Sequence, residues 1–516
     1  MKRLLGLSAA LLVGAAPVHF AVAKEGPIDL VKAAVAAEGG ADALKALKGL
    51  AIKAEAQHWE PGQSLKAGGE PRFLGDTKLA ITWDLVKGEA KMDLDRAMVY
   101  PPPATNIKYS EVVTPSLGFV TQANGNAAPA SGMRIAAQLR EFERASPLLL
   151  LKAMDDAKNV AAAGNQKLGK TSLPAVTYDD NGTKFTILFD PKSHLPAAIR
   201  TRDDDNISGD SNYDLVFGDW KAVGGVQVAH SLTYNVNDVK VGQITVKDVT
   251  PNPTIDQAMF APSDAVKAAA KAPLTGNVPY QWVLRRIALA RFLDSDTIFY
   301  PPNSPPKLTE LAPNVQQSIT GANNLIVNMK DGLAIFDAPL GEIQSKAVID
   351  MAKRKYPGKP IKYLILTHHH MDHTGGMRTY AAEGATIIVP APDKAYFEKD
   401  LKNARTLVPD ELQKHPRKVQ VVEVKDQMTL KDDQEEIRLY NIPNPHVDGM
   451  LIGHVVKDNI VWVTDLWNPA PNSGKSENAE AFAAALKKIG ISGATLAGGH
   501  GANGKQSDLE AVMAAK

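Results

Sequence analysis

Four histidines and one aspartate fall within six consecutive positions of the stretch Thr367-His368-His369-His370-Met371-Asp372-His373-Thr374-Gly375-Gly376. Imidazole nitrogens and carboxylate oxygens are ligands of zinc and similar divalent ions, so this density points to metal chemistry. The stretch follows the apolar run Tyr363-Leu364-Ile365-Leu366 and leads through Gly375-Gly376 into a helical pattern over Met377 to Glu383. Strand, tight loop and helix describe a built corner rather than a loose surface tract of histidines. His368 and His370 stand two apart, so on an extended chain they face the same way and His369 turns aside. Asp372 and His373 are then placed to serve a second ion.

The partners of such a cluster must come from other strand ends, and the downstream sequence offers them. Ile437 to Ile442 reads as a strand that opens into Asn444-Pro445-His446-Val447-Asp448-Gly449, a loop carrying His446. Leu451 to Val456 and Ile460 to Val463 form a hairpin across Lys457-Asp458, with Asp465 just past its end. Ala494 to Ala497 runs into Gly498-Gly499-His500-Gly501, where glycine lets the backbone pass close to a crowded centre. Eight of the twelve histidines lie at or after position 368, so the metal chemistry belongs to the second half of the chain. His454 reads as a core residue of an apolar strand, His415 as a solvated one among Glu411, Lys414, Arg417 and Lys418, and His58, His194 and His230 as scattered surface or half-buried residues. His369 has a supporting or a packing role. Asp337, at the end of the strand Gly332 to Phe336, either orients a histidine from behind or caps its strand.

The spacing H-x-H-x-D-H, followed in order by His446, Asp465 and His500, resembles the signature of the metallo-β-lactamase-fold hydrolases. The resemblance covers Pro313 to Lys516 and implies an α/β architecture, an αββα sandwich with its site at the strand ends. It also implies that His368, His370 and His446 bind one metal, that Asp372, His373 and His500 bind the other, and that Asp465 bridges them. An aspartate at the bridging position, where antibiotic-degrading members carry Cys or Ser, makes the set more similar to glyoxalase II, lactonases, alkylsulfatases and phosphodiesterases. Ligation by His and carboxylate suits two zinc ions and is compatible with Fe or Mn. Paired ions bring the pKa of a shared water toward neutrality, and Asp372 would orient the resulting hydroxide as the catalytic carboxylate. The net positive centre suits an anionic or strongly polar small molecule, cleaved at an ester, thioester, lactone, or sulfate or phosphate ester. Trp467, Asn468 and Lys475, close behind Asp465, are the candidates to stack on, polarise or counter-charge it.

The elements that position this site begin at about residue 313, where the pattern becomes strand, strand, helix, strand: Val315 to Thr320, Asn324 to Met329, Gly332 to Phe336, then a helix over Ile343 to Ala352. Residues 24–260 have a different texture. Apolar residues at helical spacing over Ile28 to Leu47, interrupted by Gly39-Gly40, give way to alternating segments such as Leu79 to Leu85, Phe185 to Phe189, Val226 to Tyr234 and Gln243 to Val249, the pattern of an antiparallel β-rich domain. A helical stretch, Met133 to Met154, breaks at Pro147 and buries Leu148 to Leu151 against that sheet. The order of elements resembles that of periplasmic lipoprotein carriers, which implies a concave apolar face able to hold a lipid or acyl chain. Residues 261–312 read as a linker with a connecting helix, Trp282 to Phe292, and the Pro301-Pro302 and Pro305-Pro306 pairs as extended chain.

Lys2 and Arg3 before the apolar run Leu4 to Val18, and Ala21-Val22-Ala23 after it, describe a secretory signal peptide over residues 1–23, hence a periplasmic or secreted protein. The chain has no cysteine, so it has neither disulfides nor a cysteine lipid anchor. Its formal charge of +1 recruits neither nucleic acid nor an anionic membrane. Two other functions share these features. One is a persulfide dioxygenase with a single iron; the other is a lipid-binding protein whose metal site is structural.

Overall fold

The structure is a computed structural model that describes residues 26–276, 278–289, 306–319 and 322–515. The expected signal peptide and the paired prolines from Pro301 to Pro305 lie outside these residues. Among the described residues the strands form three sheets, of thirteen, seven and six strands.

The thirteen-stranded sheet is antiparallel throughout. Its first strand, β1 (Gly49–Glu60), buries Ala54 and Ala56 while Lys53 and Glu55 face solvent. Successive strands lie side by side from β1 through β2 (Arg72–Asp84) to the edge strand Ala127–Pro129, and from the other edge, Val160–Leu168, to Val239–Pro251. The two series join because β1 also pairs with that last strand, Leu50 opposite Pro251 and Gln57 opposite Gln243. Helices Pro27–Ala37, Gly132–Ala145 and Leu149–Asp155 cover one face, and Val31, Leu149 and Leu150 pack there against Trp83, Ile187 and Phe189. Pro147 separates the last two helices as its missing N–H requires. Between helices and sheet lies a cavity of about 330 Å³, lined largely by apolar side chains such as Ile52, Leu79, Phe142, Leu150, Phe217 and Leu232.

The other two sheets stack face to face. In the seven-stranded sheet four antiparallel strands, Lys307–Ala312 to Gly332–Phe336, continue into three parallel ones, Ile361–Ile365, Thr386–Pro390 and Val421–Val424. Val327, Ala334, Phe336 and Ile365 of this sheet meet Leu439, Leu451, Trp462 and Ala497 of the six-stranded one. The close approach is possible because residue 453 is glycine: a Cβ there would lie 2.3 Å from the Phe336 ring. Helices Glu342–Lys355 and Met377–Glu383 cover the outer face of one sheet, and Glu477–Ile489 and Gln506–Ala514 that of the other, completing the αββα arrangement. Lys307–Ala312 is a strand, ahead of the expected start at 313; its pairing with Val315–Ile319 overrides the Pro-rich approach to it. The span expected as linker also holds a helix, Asp264–Ala269, capped by Ser263. The connecting helix occupies Tyr280–Leu289 and buries Trp282 against Leu74, Met98, Tyr100 and Met371.

The two halves are clamped by a buried ion pair and the hydrogen bonds around it. Arg405 donates to Asp204 Oδ1 (3.0 Å) and to the carbonyls of Asp205 (2.8 Å) and Asn206 (2.7 Å), and Asn206 Nδ2 donates to the Leu340 carbonyl (2.6 Å).

Candidate metal centre

Each side chain of the predicted cluster is delivered by a strand end. The strand Ile361–Ile365 stops before Thr367, the chain turns through His368 to His370, and His370 caps the one-turn helix Met371–Thr374. His446 is set by an Asx turn: Asn444 Oδ1 accepts from the backbone N–H of both His446 and Val447 at 2.9 Å. Asp465 follows the strand Ile460–Val463, and His500 follows Thr495–Gly498. The glycines beside His500 are needed sterically, since a Cβ on Gly499 would lie 2.6 Å from Thr464 Cγ2 and one on Gly501, at φ +73°, 2.2 Å from the Ala470 carbonyl.

The seven residues converge in two groups whose ligating atoms lie within 4.8 Å of one another, His368 with His370 and His446, and Asp372 with His373, Asp465 and His500. His370 Nδ1 and His446 Nε2 are 3.1 Å apart, and His373 Nε2 and His500 Nε2 are 3.2 Å apart. Asp465 stands between the groups: Oδ2 is 3.4 Å from His368 Nε2 and 2.9 Å from His373 Nε2, while Oδ1 is 3.2 Å from His500 Nε2.

The outer ring nitrogens are already committed. His370 Nε2 faces the Ser64 carbonyl at 3.0 Å and His373 Nδ1 faces Asp337 Oδ2 at 3.1 Å, so in the neutral tautomer each ring turns a lone pair inward. His368 Nδ1 meets Thr367 Oγ1 at 3.1 Å. The inward atoms His368 Nε2 and Asp465 Oδ2 are buried without a hydrogen-bond partner. Buried nitrogen and carboxylate atoms that converge this closely, two of them without a hydrogen-bond partner, are what a cation would satisfy, and the residues present fit one in each group.

The charge balance separates the two groups. Burial, reinforced by neighbouring imidazoles, holds His368 and His370 far below the ordinary histidine range, and burial brings His446 to about 4. Burial would likewise lower His373 and His500, but for His373 the carboxylates of Asp465, Asp372 and Asp337 override it and hold the ring well above its usual value. Asp465 chiefly lifts His500 to about 9. Asp465 itself would be raised by burial and is instead held far down by those two rings. The second group is a place that calls for positive charge.

Around these residues sit others. Asp337 accepts from the Thr367 N–H (2.8 Å), Thr367 Oγ1 (2.9 Å) and Trp462 Nε1 (3.2 Å) besides His373. His369 is buried and turns away from the cluster, Nε2 to the Ser64 carbonyl at 2.9 Å and Nδ1 toward buried Asp393 at 3.5 Å. Gln63, Arg72 and Tyr100 also reach the site from the thirteen-stranded sheet. No local pattern marks any of them: Gln63 meets Asp372 across 309 residues of chain, Arg72 meets His446 across 374, and Tyr100 acts through Gln63. His454 is half-buried on Asn459 Oδ1, and His415 is exposed.

Residues 320–465 match the family model described as the Metallo-beta-lactamase superfamily. This chain carries a metallo-beta-lactamase superfamily domain. A linear primary-alkylsulfatase from Pseudomonas sp is 42% identical over 57 residues, covering 11% of this chain and 8% of that protein. Metallo-beta-lactamase IND-1 from Chryseobacterium indologenes is 27% identical over 85 residues, covering 16% of this chain and 35% of that one. The chain therefore spans well under two thirds of either relative. A solved metallo-beta-lactamase from Pontibacter korlensis, 15% identical with a TM-score of 0.33, covers 40% of this chain and 95% of its own.

The substrate-side expectation needs a correction at Trp467. Its side chain is 1% exposed and packs with Ile442, Val447 and Phe482 beneath the helix Glu477–Ile489, so it offers no ring face to a substrate. Asn468 is half-buried with its N–H on Ser473 Oγ, and Lys475 is exposed. Pairing of Ala470 with Ala502 holds this loop beside His500.

Proposed function

We propose that this protein is a dinuclear metal-dependent hydrolase that cleaves an ester-type bond in a small anionic substrate. The observation that carries the reading is the pair of ligand groups sharing Asp465, with the outer nitrogens of His370 and His373 already committed. In this reading His368, His370 and His446 would hold one ion and Asp372, His373 and His500 the other, with Asp465 placed between the two groups. Histidine and carboxylate without thiolate favour zinc. Two bound ions would supply Lewis acidity and a water activated near neutral pH. The chain's own residues then have defined tasks. Asp372 turns Oδ2 toward His373 and His500, at 3.6 and 3.5 Å, and would orient the attacking water; Asp337 fixes the His373 tautomer. Asn468 and Lys475, in the loop beside His500, would meet the polar end of the substrate.

Among ester-type bonds, the sulfate ester comes first, because the short match at 42% identity is to a protein named for linear primary alkyl sulfates. The apolar cavity between helices and sheet supports a substrate or bound lipid with an alkyl or acyl chain. The amino-terminal basic and apolar pattern supports export to the periplasm or beyond. The test is metal content per chain in untagged protein beginning at Lys24, followed by a turnover screen of alkyl sulfates, carboxylic esters, lactones and phosphodiesters. Two zinc ions with hydrolysis of one class would bear the proposal out. One iron with oxygen uptake on a persulfide would replace it with a dioxygenase, and a metal-free active chain would end it.

A further inference from the structure

The connection between β1 and β2, residues 61–71, leaves the thirteen-stranded sheet and ends on the metal ligands. Glu60 Oε1 accepts the Gly62 N–H at 2.8 Å, which starts the single turn Pro61–Gln63. That turn lies directly on Met371 of the histidine stretch, where a Cβ on Gly62 would meet the Met371 side chain at 3.0 Å. The next two residues are polar and buried, Gln63 5% exposed and Ser64 not at all. Both make hydrogen bonds to the histidine stretch. Gln63 Nε2 donates to Asp372 Oδ1 at 2.7 Å, and the Ser64 carbonyl faces the Nε2 atoms of His369 and His370 at 2.9 and 3.0 Å.

The orientation of Gln63 is itself fixed. Tyr100 OH donates to Gln63 Oε1 at 2.8 Å, so the amide must turn its NH2 toward Asp372; the flipped amide would set its oxygen against an ionised carboxylate. Arg72, the first residue of β2, closes the assembly. Its guanidinium donates to the Gln63 carbonyl at 2.5 Å and to the His446 carbonyl at 3.0 Å, and lies 4.5 Å over the Tyr100 ring. A backbone bond from Asp448 N–H to the Leu65 carbonyl (3.0 Å) ties the loop to the His446 turn a second time.

From this geometry we infer that the β1–β2 loop is a positioning device for the metal centre, and that Gln63, held by Tyr100, sets which oxygen of Asp372 reaches the second ion. A carboxylate with Oδ1 occupied by a charge-assisted hydrogen bond presents Oδ2 as a single fixed ligand, and Oδ2 is the oxygen that faces His373 and His500. Without the amide, Asp372 can rotate, and the conformational freedom lost on metal binding increases. The thirteen-stranded sheet is in this account part of the centre rather than an appended module. The inference rests on the two-ion reading above.

The test is zinc titration of the metal-free full chain against a competing chelator, for wild type, Gln63→Met, Tyr100→Phe and the exposed-residue control Lys53→Ala. Gln63→Met keeps the side-chain length and removes the amide. It should weaken one zinc equivalent by about tenfold or more while the other stays within about twofold. Tyr100→Phe should weaken the same equivalent less, and Lys53→Ala neither. Should Gln63→Met fail to fold by circular dichroism, Tyr100→Phe, which removes one oxygen atom, carries the test. Unchanged affinities, or equal weakening of both equivalents, would overturn the inference while leaving the two-ion reading intact. Failure of the wild type to take up two ions would overturn both.

Discussion

Replacing Asp337 by alanine is the sharpest probe of how the site is held. The carboxylate is fully buried and is the shared acceptor for the Thr367 N–H, Thr367 Oγ1, His373 Nδ1 and Trp462 Nε1, at 2.8 to 3.2 Å. Thr367 Oγ1 can rotate to another acceptor, but the other three donors would be orphaned. Each orphaned buried donor costs about 1–3 kcal/mol. Partial relaxation and entry of water into the space left behind bring the total to roughly 3–5 kcal/mol, less than the simple sum. Asp337 also sits at φ +61°, a conformation that aspartate and asparagine tolerate better than alanine, which adds about 1 kcal/mol for Asp337→Ala alone. Asp337→Asn keeps shape and φ tolerance but turns an NH2 toward donors, so it should fall between wild type and alanine. The assay is urea unfolding of metal-free protein, followed by tryptophan fluorescence for the transition that exposes Trp462. A loss under about 1 kcal/mol for Asp337→Ala would refute the claim that this carboxylate organises the site.

Three further outcomes are expected. His370→Ala should abolish turnover and remove one metal equivalent by elemental analysis, with an unchanged circular dichroism spectrum, because the ring is needed for ligation and not for the core. Arg405→Ala should cost about 3–5 kcal/mol by leaving Asp204 buried and unpaired beside Asp203 and Asp205, and should show as faster proteolysis between the halves; wild-type resistance would count against the clamp. Burial raises Glu38 to about 8, so its contribution to stability is full below about pH 4.5 and is lost as pH rises toward 8. Thermal melts should fall over that window, less steeply in Glu38→Gln; parallel wild-type and variant curves would contradict the assignment.

The sequence signals that can be followed into the structure are the local ones. The histidine stretch, the Asn444-Pro445 turn and the glycines around His500 each combine a strand end with a residue type that has few other uses there, and the structure gathers all of them within one small volume. The gap at Pro147 and the paired glycines at Gly39-Gly40 fall where backbone chemistry dictates. What could not be read was anything depending on which way a loop faces. Trp467 follows Asp465 by two positions yet points into the core, since adjacency along the chain does not specify a side. The Pro-rich approach to Lys307 hides a strand that only its pairing with Val315–Ile319 creates. Ser64 acts through its backbone carbonyl, a group every residue has, and Gln63 meets Asp372 across 309 positions, so neither leaves a local pattern.

That separation also sets an order of events during synthesis. At roughly 5–20 residues per second, the ribosome needs about 15–60 s to go from Gln63 to Asp372, and longer to reach His500. Over that interval the sheet carrying Gln63 cannot be joined until the strand Val239–Pro251 arrives to pair with β1. The Gln63 NH2 and the Ser64 carbonyl meanwhile lack the partners that they have in the finished fold. A chain stopped between Pro251 and His368 thus holds the sheet that carries the support but none of the ligands, and the full ligand set exists only once His500 has been made.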